Sequence, residues 1–153
     1  MRRYLLPIGG VLLLSAAGAF AQEVPASVQF RFVVDCGAED ASPPVRDERN
    51  TGSYCLAGRV VVSEKSIERA EVTKDAAGEA AVMLVLTDKA AQRLLAATQS
   101  QVGHRLGVII NSRLVIAPLI REPIGKEFIL VGQMAQDKAE ALARSLNRRP
   151  PAK

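Results

Sequence analysis

The chain has 153 residues, 48% of them hydrophobic and only 4% aromatic, with 20 basic and 16 acidic side chains and one histidine. That length suits one domain with a sizeable core. The slight basic excess excludes a nucleic-acid footprint, and so few aromatics leave no stacking platform for bases or sugars. A lone histidine among scattered carboxylates matches no metal-ligand spacing, so no metal and no cofactor are expected.

The first residues read as an export signal. Arg2 and Arg3 form a positive start, an apolar run extends from Leu5 to Phe20, and Ala19-Phe20-Ala21 offers a cleavage site before Gln22. The run is short for a membrane span and is interrupted by Pro7 and Gly9-Gly10. Cleavage after Ala21 is therefore expected, giving a periplasmic protein with no membrane span in its mature part. Without residues 1–21 the chain keeps 18 basic and 16 acidic residues, a net charge of +2.

"ASVQFRFVVDC" alternates, placing Val28, Phe30, Phe32 and Val34 on one face of a half-buried strand. Cys36 and Cys55 bracket "GAEDASPPVRDERNTGSY", rich in Pro, Gly, Ser and charge, which reads as a loop. In an oxidising compartment the two cysteines are expected to form a disulfide. "AGRVVVS" is a second short extended run, and Ser63 is placed to cap a short helical turn in "EKSIERA". "AEVTK" and "EAAVMLVL" flank the turn sequence Asp75-Ala76-Ala77-Gly78 and form a hairpin. The near-unbroken apolar "AVMLVL" reads as a central strand covered on both faces.

Thr87 can cap a long helix over about Asp88 to Val102, with Ala91, Leu94, Leu95, Thr98 and Val102 as its buried stripe and Gly103 ending it. Strands "RLGVII" and "RLVIAP" follow on either side of Asn111-Ser112, and Pro118 ends the second or sets it at an edge. "EFILVG" is another strand. The last helix, "QDKAEALARSL", turns Ala139, Leu142 and Leu146 inward and is stopped by Pro150-Pro151. Strands, helix, strands, helix, without βαβ repeats, make an α+β single domain, with two main helices packed on a mostly antiparallel sheet. Its parts are the signal 1–21, an N-terminal strand with the cysteine-closed loop 22–58, the α+β body 59–149 and a disordered tail 150–153.

The stretch from Thr87 to Leu146 resembles the head subdomain of the first periplasmic domain of SecD. Thr87 opens the first helix, Gly103 to Arg105 lead into "GVII", and Asn111-Ser112 stands where the family usually has Asp or Asn followed by Gly. "APLIREPI" resembles the family's Ala-Pro-x-Ile segment, and "LVGQMAQDKAEALARSL" resembles its closing helix. "VVVSEKSIERAEV" resembles the segment with which the head begins. The resemblance runs from about Val60 to Leu146 and more weakly to the strand at Val28–Val34, as in stand-alone exported proteins carrying this head. SecD's own proton-driven pulling needs membrane spans, so the resemblance implies only a binding role here, with a polypeptide or envelope protein as partner.

Two departures carry expectations. Ser112 replaces the glycine that tight two-residue hairpins prefer, so the turn should be wider or slightly strained. Ala135 stands where a Ser or Thr cap is expected, a loss of about 1 kcal/mol at the start of the last helix.

For function, His104 lacks a nucleophile and an orienting group, and reads as a surface residue at the helix exit. "REPIGKE" gathers charge around Pro123 and Gly125 and reads as a loop that a hairpin scaffold could present for recognition. The expected partner-binding residues are Arg113, Pro118, Arg121, Glu122 and Lys126, with strand addition along "RLVIAP" as a further mode. No catalytic residue is assigned, and the chain is expected not to be an enzyme. The alternatives are an inhibitor or immunity-type envelope protein, a structural part of an envelope complex, or a hydrolase using Asp35, Glu122 or Glu127. The disulfide is checked by alkylating the exported protein without reductant. Neither Cys36 nor Cys55 should react, and two free thiols would refute the pairing.

Overall fold

In a computed structural model, residues 25–130 and 134–148 are described. The expected signal with its cleavage after Ala21, the end of the "EFILVG" strand and the tail at 150–153 lie outside them. The fold is α+β. Its pairings among the described residues are all antiparallel, and its strands divide between two sheets.

Strand β1, Val28–Val34, is the axis of the larger sheet. On one side it pairs along its length with β7, Leu106–Ile110, in the register Phe30↔Val108. On the other side it meets β4, Val62–Ser63, and then β3, Ser53–Leu56, in succession. β2, Val45–Arg46, lies outside β3, and β8, Arg113–Ile116, lies outside β7. The alternation read in the sequence places Val28 and Phe30 in the core, 0% and 1% exposed. Phe32 is half-buried and packs against the same core.

The smaller sheet has the order β5-β6-β9, with β5 at Ile67–Lys74, β6 at Ala80–Leu86 and β9 at Glu127–Leu130. The apolar β6 is central, as its composition implies. The β5–β6 turn is closed by Asp75, whose side chain accepts from the backbone N–H of Ala77 and Glu79, both at 2.9 Å, with Gly78 at φ 82°. Phe30 and Phe128 meet edge to face between the sheets, centroids 5.4 Å apart. Helix α2, Gln136–Asn147, packs on β5 and β6 through Ala139, Leu142, Ala143 and Leu146. It starts at Ala135 with no side-chain cap, as expected.

Helix α1, Asp88–Gln99, is capped by Thr87, whose hydroxyl accepts from Ala90 N–H. Two expectations about it need correction. The helix ends at Gln99 rather than near Val102, and its buried stripe is Ala90, Leu94 and Thr98, spaced by four. Ala91 is half-buried, while Leu95 lies a third of a turn off the stripe and is 41% exposed. Val102 is past the helix end and 47% exposed. "EKSIERA" also differs. Only Glu64–Ser66 turn, as one 3-10 turn, and Ser63 makes no side-chain cap bond because Ile67 already re-enters extended backbone as β5 begins.

Cys36 and Cys55 are joined, with Cα atoms 5.1 Å apart, just beyond the Val34↔Cys55 pair. The β7–β8 turn is not widened. Ile110 pairs with Arg113 across two residues, and both Asn111 (φ 49°) and Ser112 (φ 65°) are left-handed. Asparagine tolerates that region, but for serine it costs on the order of 1 kcal/mol. Ser112→Gly should therefore raise the melting temperature by roughly 4 °C. Calorimetry of the variant checks this, and an unchanged or lower midpoint would show that Ser112 is unstrained.

Candidate functional site

The residues expected to bind a partner lie on β8 and on the segment that carries the chain from the larger to the smaller sheet. Arg113 opens β8 with its side chain 75% exposed and pairs with Glu48 at 3.0 Å. Glu48 also donates its backbone N–H to Leu114 C=O at 3.0 Å. The loop after β2, at one end of the larger sheet, thus reaches β8 at the other, and the sheet is curled. Gly107 permits the curl. A Cβ there would stand 2.7 Å from a Leu56 methyl and 3.2 Å from one of Leu114. Where the ends meet, a cleft of about 460 Å³ is lined by Val45, Arg46, Asp47, Asn50 and Arg113, among others. The Asp47 carboxylate is engaged by its own loop. The Thr51 hydroxyl and the N–H groups of Thr51 and Gly52 donate to it, and the Thr51 bond above all holds its pKa below the usual value.

The 118–127 segment is anchored at several points. Pro118 is exposed, and its C=O accepts from Leu106 N–H at 3.0 Å. Ile120 is buried, and its backbone bonds Gly103 and His104 at 2.9 and 2.8 Å. Gly103 takes a φ of 90° at this junction, which a glycine adopts at little cost. Farther on, Ile124 N–H donates to Thr98 Oγ1 at 2.9 Å, and Thr98 donates to Leu94 C=O at 2.7 Å. A fully buried threonine of α1 thus fixes the middle of the segment. Lys126 C=O accepts from Leu86 N–H, and its ammonium reaches Asp88 at 2.7 Å and Glu68 at 3.8 Å. Lys126 thus pins the start of β9 to α1 and β5. Arg121 and Glu122 stand exposed between these anchors.

Asp35, Glu122 and Glu127 are exposed, on the exit of β1, the crossing segment and β9 respectively, and form no convergent carboxylate pair. His104 and Ser112 are exposed at opposite ends of β7. Among the described residues no group of His, Cys, Asp or Glu could hold a metal, and no helix is long and apolar enough to cross a membrane.

Two polar clamps escaped the sequence. Asn111 does more than turn the hairpin. Its Oδ1 accepts from Ser27 N–H at 3.0 Å and its N–H donates to Ser27 C=O at 2.9 Å, docking the chain as it enters β1. Asn147, at the end of α2, accepts from Ala70 N–H at 2.9 Å and donates to Ala70 C=O at 2.7 Å, covering the edge of β5. Asparagine already suits a tight turn and a helix end, so neither position signalled a second role.

The hydrogen bond from Lys126, followed by its charge, lowers the Asp88 pKa from 3.8, and the same hydrogen bond raises that of Lys126 from 10.5. The Asp88 contribution to stability is present above 3.8 and lost as pH falls through its depressed value. In Lys126→Met the Asp88 titration, followed by carbon NMR, should move up toward 3.8. The stability gap to the unmodified protein should close in acid. An unmoved titration would show that the pair does not form in solution.

Residues 41–148 match the family described as SecDF, P1 head subdomain. The chain is 28% identical over 100 residues to protein translocase subunit SecD of Aquifex aeolicus (strain VF5), covering 65% of this chain and 20% of that protein. It therefore spans about a fifth of that relative. A solved structure of SecDF, described as a membrane component that enhances protein export, superposes with a TM-score of 0.63 at 19% identity, over 80% of this chain and 62% of that one. SecDF in its super-membrane-facing form gives 0.63 at 20% identity, over 80% and 19%. The structural likeness shows the fold, and the match over most of the chain's length shows the family: this protein belongs to the SecDF P1 head subdomain family.

Proposed function

We propose that the protein is a non-enzymatic interaction module of the periplasm, exported by its N-terminal signal, that engages a polypeptide or an envelope-protein partner. One observation carries the reading. The segment from Pro118 to Glu127 is held by backbone and threonine anchors at Leu106, Gly103, His104, Thr98 and Leu86 while Arg121 and Glu122 remain exposed. Such a segment presents charge in a fixed geometry, which lowers the ordering cost of binding. Arg113, at the rim of the neighbouring cleft, extends the same recognition surface. Family membership supports the choice of partner, since the relative is a protein translocase subunit and the solved structure is described as enhancing protein export. Exposed carboxylates spread over three elements give no support to hydrolytic chemistry. In this reading Lys126 acts as a positioning residue, because its ammonium is engaged by Asp88 and Glu68.

Photo-crosslinkers at Arg113 and Arg121, compared in the periplasm with one at Ala77 on the β5–β6 turn, test the proposal. Discrete polypeptide adducts at the first two positions are expected. Labelling there no stronger than at Ala77 would overturn it.

A further inference from the structure

β9 is the strand onto which the 118–127 segment runs, and among the described residues no strand pairs with its outer side. Lys126 C=O accepts from Leu86 N–H, and the register continues through Leu84↔Phe128 and Val82↔Leu130. In an antiparallel ladder backbone groups alternate in direction every residue. Phe128 and Leu130 therefore turn their N–H and C=O toward β6, and Glu127 and Ile129 turn theirs away from it. β9 ends the sheet order, with β6 as its one partner strand among the described residues. Two other edge strands are met by their own chain at one residue each, β5 at Ala70 by the Asn147 amide and β8 at Leu114 by Glu48 N–H. Beside the open groups, the Ile129 side chain is 46% exposed on the face it shares with Glu127. The neighbouring cation, Lys126, is engaged by Asp88 and Glu68.

We propose that β9 is a strand-addition site, and that its occupant is an extended polypeptide carrying an apolar and a basic residue two positions apart, the first beside Ile129 and the second beside Glu127. The proposal rests on the reading of the protein as a polypeptide-binding module. An unfolded backbone is the chemistry that matches alternating unpaired N–H and C=O groups. Alternate side chains of an extended strand fall on one face, so the i and i+2 residues of the occupant line up with Ile129 and Glu127. A second copy of this chain fits poorly. The four described residues of β9 span about 14 Å, and a ladder of that length does not bury the area of about 1,000 Å² that a stable interface needs. A short open edge suits brief capture of a passing chain.

The probe is the synthetic peptide acetyl-Thr-Val-Thr-Lys-Thr-Val-Thr-amide, added to the whole exported protein, with amide hydrogen exchange read by NMR. At saturation the Glu127 and Ile129 amides should exchange at least tenfold more slowly. Ile129→Pro removes one outward donor and leaves the bonds to β6, since proline is tolerated where a strand's N–H faces outward. It should weaken peptide binding at least tenfold while the Leu86 amide stays protected. Ile129→Val keeps the backbone donor and an apolar side chain and should restore most of the binding that Ile129→Pro loses. Binding that survives Ile129→Pro, with protection elsewhere, would overturn the edge site and leave the polypeptide-binding reading standing. No binding of the peptide at all would also overturn it, and crosslinking at Arg113 and Arg121 would then judge that reading separately. Protection of the same amides without peptide, rising with protein concentration, would mean self-pairing and refute the proposed occupant.

Discussion

Phe30 is the contact on which the two sheets depend. It sits at the middle of β1, is 1% exposed, and meets Phe128 of β9 edge to face. On its own strand it pairs with Val108 on one side and Val62 on the other. One side chain thus holds the larger sheet's central strand against the open edge strand of the smaller sheet. Buried aromatic pairs of this kind combine a large hydrophobic contribution with a preferred geometry. The position of β9, and so of the segment leading to it, follows from where this ring is seated.

Around that contact the chain completes itself with polar groups used in place of backbone. Thr98 offers the crossing segment an acceptor that α1 alone would not provide. Asn147 presents to Ala70 the donor and acceptor of a peptide group and so stands in for a neighbouring strand. Asn111 offers Ser27, at the start of β1, a side-chain acceptor beside its own backbone donor. Each satisfies backbone groups that would otherwise be left without partners at a cost of about 1–3 kcal/mol when buried. Ala70 and Leu114 are thereby met at single positions of their edges, while among the described residues no side chain reaches the outward backbone of Ile129.

Much of this was legible in the sequence. Thr87 as a cap, the turn at Asp75 to Gly78 and the cysteine pair are local signals, decided by residues a few positions apart or by compartment chemistry, whereas α1 stops at Gln99, four residues short of the glycine that the sequence marks as its end. The alternation of β1 marked Val28 and Phe30 as core but not the half-buried Phe32 and Val34, and the apolar run of β6 reported burial directly. What stayed hidden was long-range. Leu95 and Val102 fit a helical stripe, but whether a stripe is covered depends on the neighbouring element, and the crossing segment covers Thr98 instead. Glu48 reaching Leu114 depends on the curl of a sheet, to which Gly107 gave no sequence-level clue. The candidate surface was legible as a place, through the charge around Pro123. Its anchoring was not, since nothing local distinguishes Lys126 from Arg121 and the Asp88 that engages it lies 38 positions away.

The docking of the first strand has a kinetic consequence. Ser27 is bonded to a residue 84 positions later, and Ala26 to Ser145, 119 positions later. β1 finds its main partner only once β7 has been made. Folds dominated by such distant pairings close slowly, because the loop entropy must be met before the contacts reward it. The N-terminal strand can therefore meet β3 and β4 early, but its longest pairing, with β7, closes only after the intervening chain is in place.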